Sequence, residues 1–451
     1  MGSNQGVSRR IAVIGAGASG IITAKVLLQA GHDVTVLEAG SVIGGMWNYD
    51  NDNGMSVAYR NLHINTDTYI TQLPDYPFPT EAPAYAHHRE MFAYIKGYAE
   101  HFGVVDRVRF RSLVTRVAPV TGGGWHVETS GEGSGHYEAV VVATGHLHKP
   151  RQPRLPGTFE GVYLHSADYR EPEPFANLRT CIIGLGNSSM DIANDLAHTA
   201  KCVVVSARTG AIIWPKFVFG YPLTRLSAKV QEFRYLPVKL RTRLFKLWNR
   251  FMVFVVWGPM RGYGIELPRK PGHPVSNQFF LSHVKYGRVT LKPNIRAVEG
   301  RTITFEDGSS EEFDALVAAT GYTVDFPFLD SDLISHDDTR LPLYARVVPP
   351  DRPGLYFVGY FNIDWSSFPV YEQQALWVAD LESGRCSLPR TEQMWADIRA
   401  REEATRRKFL ESPRMNLEVE YGPYVAELQA QRRRAPRTRA EVDGVGAGRP
   451  A

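Results

Sequence analysis

The sequence predicts an α/β protein built on two Rossmann-like dinucleotide-binding units, and three observations carry that prediction. A strand, glycine turn, helix and strand follow one another over residues 10 to 38, the same order returns at 180 to 208, and the strands are short apolar runs of the kind buried in parallel sheets. Ile11-Ala12-Val13-Ile14 is the first strand, Gly15 to Gly20 the turn, Ile21 to Ala30 a helix that Gly31 is placed to end, and Val34 to Leu37 the next strand. In the second unit Cys181-Ile182-Ile183 precedes the turn Gly184 to Ser189, a helix over Met190 to His198 and a strand over Cys202 to Val205. Further strands are predicted at Trp125 to Glu128, Ala139 to Val142, Thr290, Thr302 to Glu306, Ala315 to Ala319 and Leu355 to Val358, with a helix near Glu372 to Leu381. Residues 211 to 270 form an aromatic, basic segment that reads as helical in pieces, broken at Pro215, Pro222, Pro237 and Pro259.

Composition narrows the function classes. The chain has 451 residues, 43% hydrophobic and 22% charged, which excludes fibrous and wholly disordered architectures and predicts two or three domains with real cores. Its formal net charge of +4 is located in residues 432 to 451, where six arginines oppose only Glu441 and Asp443. The preceding 431 residues are therefore formally neutral, which argues against a nucleic-acid-binding body. The Arg, Pro, Ala and Gly content of 432–451 predicts a disordered tail. A second basic cluster, Arg225 to Arg250, is opposed by Glu232 alone. Its preferred reading is a helical insertion packed on the second unit with a solvated basic face. Peripheral contact of 225–257 with a membrane is the less favoured alternative. No apolar run approaches the roughly 18 residues of a membrane span, and MGSNQGVSRR lacks a secretory apolar core, so a cytoplasmic location is expected. Cys181, Cys202 and Cys386 share no CxxC spacing, and no metal site is expected.

The two turns ask for different ligands. In the first, Gly15 permits the tight turn, Gly17 lets backbone approach a pyrophosphate, and Gly20 lets helix and strand pack, with Ala18 and Ser19 opening the helix. Glu38 ends the following strand, where a carboxylate can accept hydrogen bonds from ribose hydroxyls. In the second, Gly184, Gly186, Asn187, Ser188 and Ser189 form the turn, and the strand ends in Arg208 with no acid. A guanidinium can grip a 2′-phosphate that an acid would repel. The pair implies FAD at the first unit and NADPH at the second, hence a flavin-dependent oxidoreductase. Disulfide reductases of similar layout need a redox cysteine pair, which is absent.

The motif FxGxxxHxxxY is complete from Phe159 through Gly161 and His165 to Tyr169, just upstream of the second turn. With it the chain resembles the flavin-containing monooxygenases, class B flavoproteins, as a member without the hydrophobic anchor of the animal enzymes. Gly44-Gly45-Met46-Trp47 resembles the family's GGxW flavin loop, and Asn65-Thr66 followed by Asp75 to Pro79 its NT…DFPFP stretch. Ala143-Thr144-Gly145 and Ala319-Thr320-Gly321-Tyr322 resemble its ATG segments, and Glu372 to Trp377, with Gln374, the helix that closes against the flavin. Tyr169 stands where Baeyer–Villiger enzymes carry Trp, and Ser189 departs from the small third residue of the NADP turn.

The resemblance implies an FAD domain of residues 1–157 and 325–431 and an inserted NADPH domain of 158–324. It further implies NADPH- and O2-dependent formation of a C4a-(hydro)peroxyflavin and transfer of one oxygen to a soft nitrogen or sulfur nucleophile of a small molecule, with Baeyer–Villiger oxygenation of a ketone as the alternative. A more distant alternative is a non-catalytic FAD- and NADP-binding sensor. Asn65 is the expected catalytic residue, because a neutral carboxamide donates a hydrogen bond without an acidic proton. Gly45, Met46, Trp47, Thr66, Thr144, Gly145, Thr320, Gly321, Tyr322 and Gln374 are expected at the cofactors, and Phe159, Gly161, His165 and Tyr169 in positioning roles. Arg60 is a weak candidate for a ketone-inserting cation. Substrate identity and the choice between monomer and homodimer stay open.

Overall fold

The first strand has only apolar side chains after Arg10, and the structure, a computed structural model describing residues 8–231, 235–270, 272–273, 275–334, 339–409 and 411–436, buries it on both faces. Arg10–Ile14 is the centre of a five-stranded sheet in the order Leu355–Phe357, Ala139–Val142, Arg10–Ile14, Asp33–Leu37, Val108–Arg109, every pair parallel. A second parallel sheet runs Val162–His165, Ala315–Ala318, Arg179–Ile183, Cys202–Ser206, Val289–Lys292. The second sheet thus draws its strands from 162 to 292 and 315 to 318, inside the span between the last two strands of the first. Parallel neighbours need crossovers, and helices Ala18–Gln29 and Asn187–Leu196 supply the first of each unit. Helix Ala18–Gln29 also packs against Phe368–Glu382, which begins four residues earlier than the sequence pattern indicated.

The chain crosses between the two units at 149–151 and again at 320–323. The crossings are joined: Lys149–Pro150 pairs antiparallel with Tyr322–Thr323, Arg151 N donates to Gly321 O at 2.9 Å, and Thr320 Oγ1 donates to Arg151 O at 2.5 Å.

The predicted insertion contains helices Leu223–Gln231 and Val238–Trp257, with Pro222, Pro237 and Pro259 at their boundaries. The longer helix buries Phe245, Asn249, Met252 and Val253. Its outward face differs from the solvated basic face expected. Leu240, Leu244, Leu247, Phe251 and Phe254 recur every three or four residues and are all exposed, with Lys239, Arg243, Lys246 and Arg250 alongside. The basic residues flank an apolar stripe because the helical period sends the two sets in different directions. Among the described residues no helix is long and apolar enough to cross a membrane.

Residues 432–436 differ from the structureless tail expected of them. Helix Tyr421–Arg432 ends on Arg432, whose Nε lies 2.6 Å from Asp380 Oδ2, and Ser387 Oγ donates to Ala435 O. Residues 437–451 of the expected tail lie outside the described residues.

Candidate active site

The two glycine turns are built alike. Gly15 has φ +102°, and a Cβ there would lie 2.8 Å from the carbonyl oxygen of Ala143; Gly184 has φ +111°, and its Cβ would lie 2.5 Å from that of Ala319. Each ATG segment therefore abuts the first glycine of its own turn, and both glycines are required sterically. The third position separates the units. A Cβ on Gly20 would fall 1.9 Å from Gly15 O, whereas Ser189 keeps its side chain and donates Oγ to Gly184 O at 2.6 Å.

Gly17 and Gly186 are the N-caps of the two helices. Neither has a side chain to cap with, and neither first turn holds an acid. The leading N–H groups of both helices are thus left for an external anion, which is what a pyrophosphate supplies. Gly17 faces Gly45 back to back: a Cβ on Gly45 would sit 2.9 Å from Gly17 Cα. This brings the Gly44–Trp47 loop onto the turn. Glu38 is buried, with Oε2 accepting from Ala16 N at 2.7 Å and Oε1 from Gly40 N at 2.8 Å and Asn53 Nδ2 at 3.2 Å. Its carboxylate retains acceptor capacity for a ribose hydroxyl, in an orientation fixed by those donors.

A cavity of about 690 Å³ opens along the first sheet and is lined by Gly15, Gly17, Ala18, Ser19, Glu38, Gly45, Met46, Trp47, Thr144 and Gly145, all expected at the flavin. Its size and mixed lining suit a large cofactor. A second cavity of about 310 Å³ shares Met46, Trp47, His146, Leu147, Phe368 and Tyr371 with it and adds Asn65, Thr66 and Asn187. Asn65 Oδ1 is buried with no hydrogen-bond partner among the described residues, so the carboxamide keeps an acceptor free at this cavity. The uncapped helix starts, the cradle between Gly17 and Gly45 and this free amide oxygen fit a bound dinucleotide flavin with a second nucleotide beside it.

Other expected site residues lie elsewhere. Gly20 sits beneath the first turn. Gln374 lines neither cavity: it is buried, accepts from Gly359 N at 2.9 Å and donates to Tyr424 OH at 2.7 Å, so it holds the loop after strand Leu355–Phe357 and does not itself face the flavin cavity. Gly184, Gly186, Ser188 and Ser189 form the second turn, and Asn187 Oδ1 accepts from Ser276 N at 3.0 Å. Arg208 is exposed beyond strand Cys202–Ser206. Thr320, Gly321 and Tyr322 belong to the paired crossings. Gly161 has no room for a side chain, its Cβ meeting Asp314 O at 2.5 Å, and Phe159 ends a short strand. His165 is buried, accepts from Ala167 N at 3.1 Å and meets the Tyr322 ring edge-on; burial lowers its pKa. Tyr169 donates to Asp195 Oδ2 at 3.1 Å. Arg60 lies apart from both cavities, paired with Glu171 and Glu173, so it supplies no cation there.

The sequence reading missed several contributors. His146, directly after the first ATG segment, lines both cavities; its ring nitrogens meet Gly359 O at 3.1 Å and Asn362 Oδ1 at 3.3 Å, and burial lowers its pKa to about 4. The insertion reaches the Asn65 segment from outside: Lys216 Nζ donates to Ile64 O at 3.1 Å, Asp67 N donates to Thr224 Oγ1 at 3.1 Å, and Arg225 Nε pairs with buried Asp67 at 3.2 Å. Nothing in the local pattern of 211–270 announced that role. Among the described residues no cluster of three His, Cys, Asp or Glu side chains is placed to hold a metal ion.

Comparison with known proteins agrees with this geometry. The family model for flavin-binding monooxygenase-like proteins matches residues 8–438. The N-oxide-forming dimethylaniline monooxygenase 2 of Mus musculus is 32% identical over 446 residues, covering 94% of this chain and 82% of that protein. The S-allyl-L-cysteine S-oxygenase of Allium sativum superposes with a TM-score of 0.72 at 27% identity, covering 98% of this chain and 92% of the other. An NADP+-bound cyclohexanone monooxygenase from Rhodococcus sp. Phi1 shares the fold, with a TM-score of 0.66 at 21% identity, covering 94% and 97%. With two dinucleotide turns and adjoining cavities in place, the chain belongs to the flavin-binding monooxygenase family, as an oxidoreductase that uses FAD and NADPH.

Proposed function

We propose that this enzyme transfers one oxygen atom from O2 to a soft nitrogen or sulfur atom of a small organic substrate held in the second cavity. The observation that carries this reading is the placement of Asn65, with its free amide oxygen, on a cavity that shares Trp47 and His146 with the cavity expected to hold the flavin. Residues 1–157 with 325–431 hold FAD in this reading, and 158–324 hold NADPH, whose 2′-phosphate is gripped by Arg208.

Bound FAD supplies electron storage and oxygen activation, and NADPH the electrons. The protein supplies position and dryness. Asn65 presents a neutral amide to the second cavity: its Nδ2–H can donate to an oxygen held there, its unpartnered Oδ1 can accept, and the amide itself carries no acidic proton. His146, neutral throughout the physiological range, adds no proton either. Trp214, Phe361 and Trp365 wall the cavity and exclude water. A soft nucleophile needs no general base. No Lys or Arg lines the second cavity among the described residues, which favours nitrogen or sulfur oxygenation over ketone insertion. The name of the murine relative, N-oxide-forming, and that of the garlic S-oxygenase support the same choice.

The test is product chemistry. The purified yellow enzyme, given NADPH, air and a thioether or tertiary amine, yields the S- or N-oxide with matching NADPH consumption. Asn65→Ala and Asn65→Asp retain flavin but release most of the electrons as hydrogen peroxide. Full coupling in both variants removes Asn65 from the reaction, and lactone formation from a cyclic ketone as the dominant activity overturns the reaction class.

A further inference from the structure

We propose that the second cavity carries an ammonium-binding subsite at Asp364, so that the preferred substrates bear a protonated amine in addition to the soft atom that is oxygenated. The proposal rests on the reading that this cavity holds the substrate.

Asp364 follows the short strand Asn362–Ile363 and lines the cavity that also holds Asn65. Its Oδ1 accepts from the backbone N–H of Tyr421 at 2.9 Å. Among the described residues it has no Lys, Arg or His within ion-pair distance, and the charges around it are already matched: Glu420 takes both Lys246 and Lys408, and His273 meets Glu418 Oε2 at 2.9 Å. A carboxylate withdrawn from water is ordinarily paired with a cation from the protein. No protein cation among the described residues fills that role for Asp364, and the cavity it lines leaves room for a ligand to bring one. Trp214 and Trp365 line the same space, and indole faces attract an ammonium group. Among the described residues Asp364 is the sole acidic side chain on the cavity wall and no Lys or Arg lines it, so the lining favours a cation over an anion. Burial raises the Asp364 carboxyl to about 6, the Glu420 charge adding to the effect while Lys246 and His273 oppose it. An arriving ammonium group favours the ionised carboxylate and draws that value back down.

The test uses the FAD-loaded enzyme and a matched pair of thioethers, one carrying a primary amine and the other a hydroxyl in its place. The wild type favours the amine by about ten-fold or more in kcat/KM, expressed in KM. Asp364→Asn keeps the volume and the acceptor for Tyr421 N, retains flavin, loses the preference and leaves the hydroxyl compound within about two-fold. Binding is read independently by the thermal shift that butylammonium chloride, which has no oxidisable sulfur, induces relative to sodium chloride. The wild type is stabilised and Asp364→Asn is not. A preference that survives the substitution, or equal stabilisation of both proteins by butylammonium, overturns the proposal. Should neither thioether be oxygenated, the reading of the reaction fails while butylammonium binding still decides the subsite.

Discussion

The phenol of Tyr169 donates to Oδ2 of Asp195, tying the last residue of the linker motif to the helix that opens at the second glycine turn. One turn earlier on that helix, Asp191 accepts from Tyr59 OH at 2.5 Å, and Asn61 Nδ2 reaches Asp195 Oδ1 at 2.9 Å. Residues 59 and 61 lie just before Asn65 in the chain, so two acids one turn apart tie the helix after the second glycine turn to the segment that carries Asn65. Tyr169→Phe leaves Asn61 on Asp195 but removes one buried hydrogen bond, worth about 1 kcal/mol. The expected outcome is normal flavin content with KM for NADPH raised several-fold, measured by steady-state kinetics. Loss of flavin with an unchanged KM would place Tyr169 on the other site.

The two uncapped turns give a steric contrast. A methyl group at Gly186 meets nothing within 4 Å, whereas one at Gly20 strikes Gly15 O. Gly186→Ala is therefore expected to fold and hold FAD while NADPH binding weakens, because the methyl group occupies space left for phosphate. Gly20→Ala is expected to lose FAD or fail to fold. Absorbance at the flavin band and NADPH titration distinguish the two. In the same assay Arg208→Ala is expected to lower the preference for NADPH over NADH by about ten-fold or more.

Local pattern carried far in the glycine turns because each requirement there is local: a strand end, a positive φ, a helix start. The central strands of the two parallel sheets followed for the same reason, being apolar on both faces. Helix Thr391–Lys408 had no sequence expectation, since its charged composition leaves only Met394, Ile398 and Thr405 buried and the apolar period is faint. The functions of Gln374 and of the insertion were beyond reach because they depend on distant partners. Gln374 acts through Gly359 and Tyr424, and Lys216 finds Ile64 across 152 positions of sequence. A motif names a residue type at a spacing; which atom that residue touches is settled by packing.

The contacts of Lys216, Thr224 and Arg225 make the insertion a clamp on the Asn65 segment. Burial lowers the Lys216 pKa, opposed by the charge of Asp191, and the ammonium donates to the carbonyl directly before Asn65. Lys216→Met and Arg225→Met are expected to keep flavin and NADPH binding but to leave Asn65 less well held. The readout is hydrogen peroxide released per NADPH, rising in both variants toward the level of Asn65→Ala. Tight coupling in both would leave the clamp without a catalytic role.

Asp191 makes the same interface sensitive to pH. Burial raises its carboxyl from 3.8 to about 6, with Lys216 and the Tyr59 hydrogen bond opposing that rise. The folded chain therefore holds this proton more tightly than the unfolded chain does. Its stabilising contribution is complete below about 4, where both states are protonated, and is lost as pH rises through about 6, where the folded carboxylate ionises in a buried setting. Asp191→Asn keeps a neutral acceptor for Tyr59 at the same volume. Thermal melts across this window should therefore show the wild type losing a few degrees relative to Asp191→Asn as pH increases, with the gap constant above it. A gap that widens in the opposite direction would mean that Lys216, and not burial, governs the ionisation of Asp191.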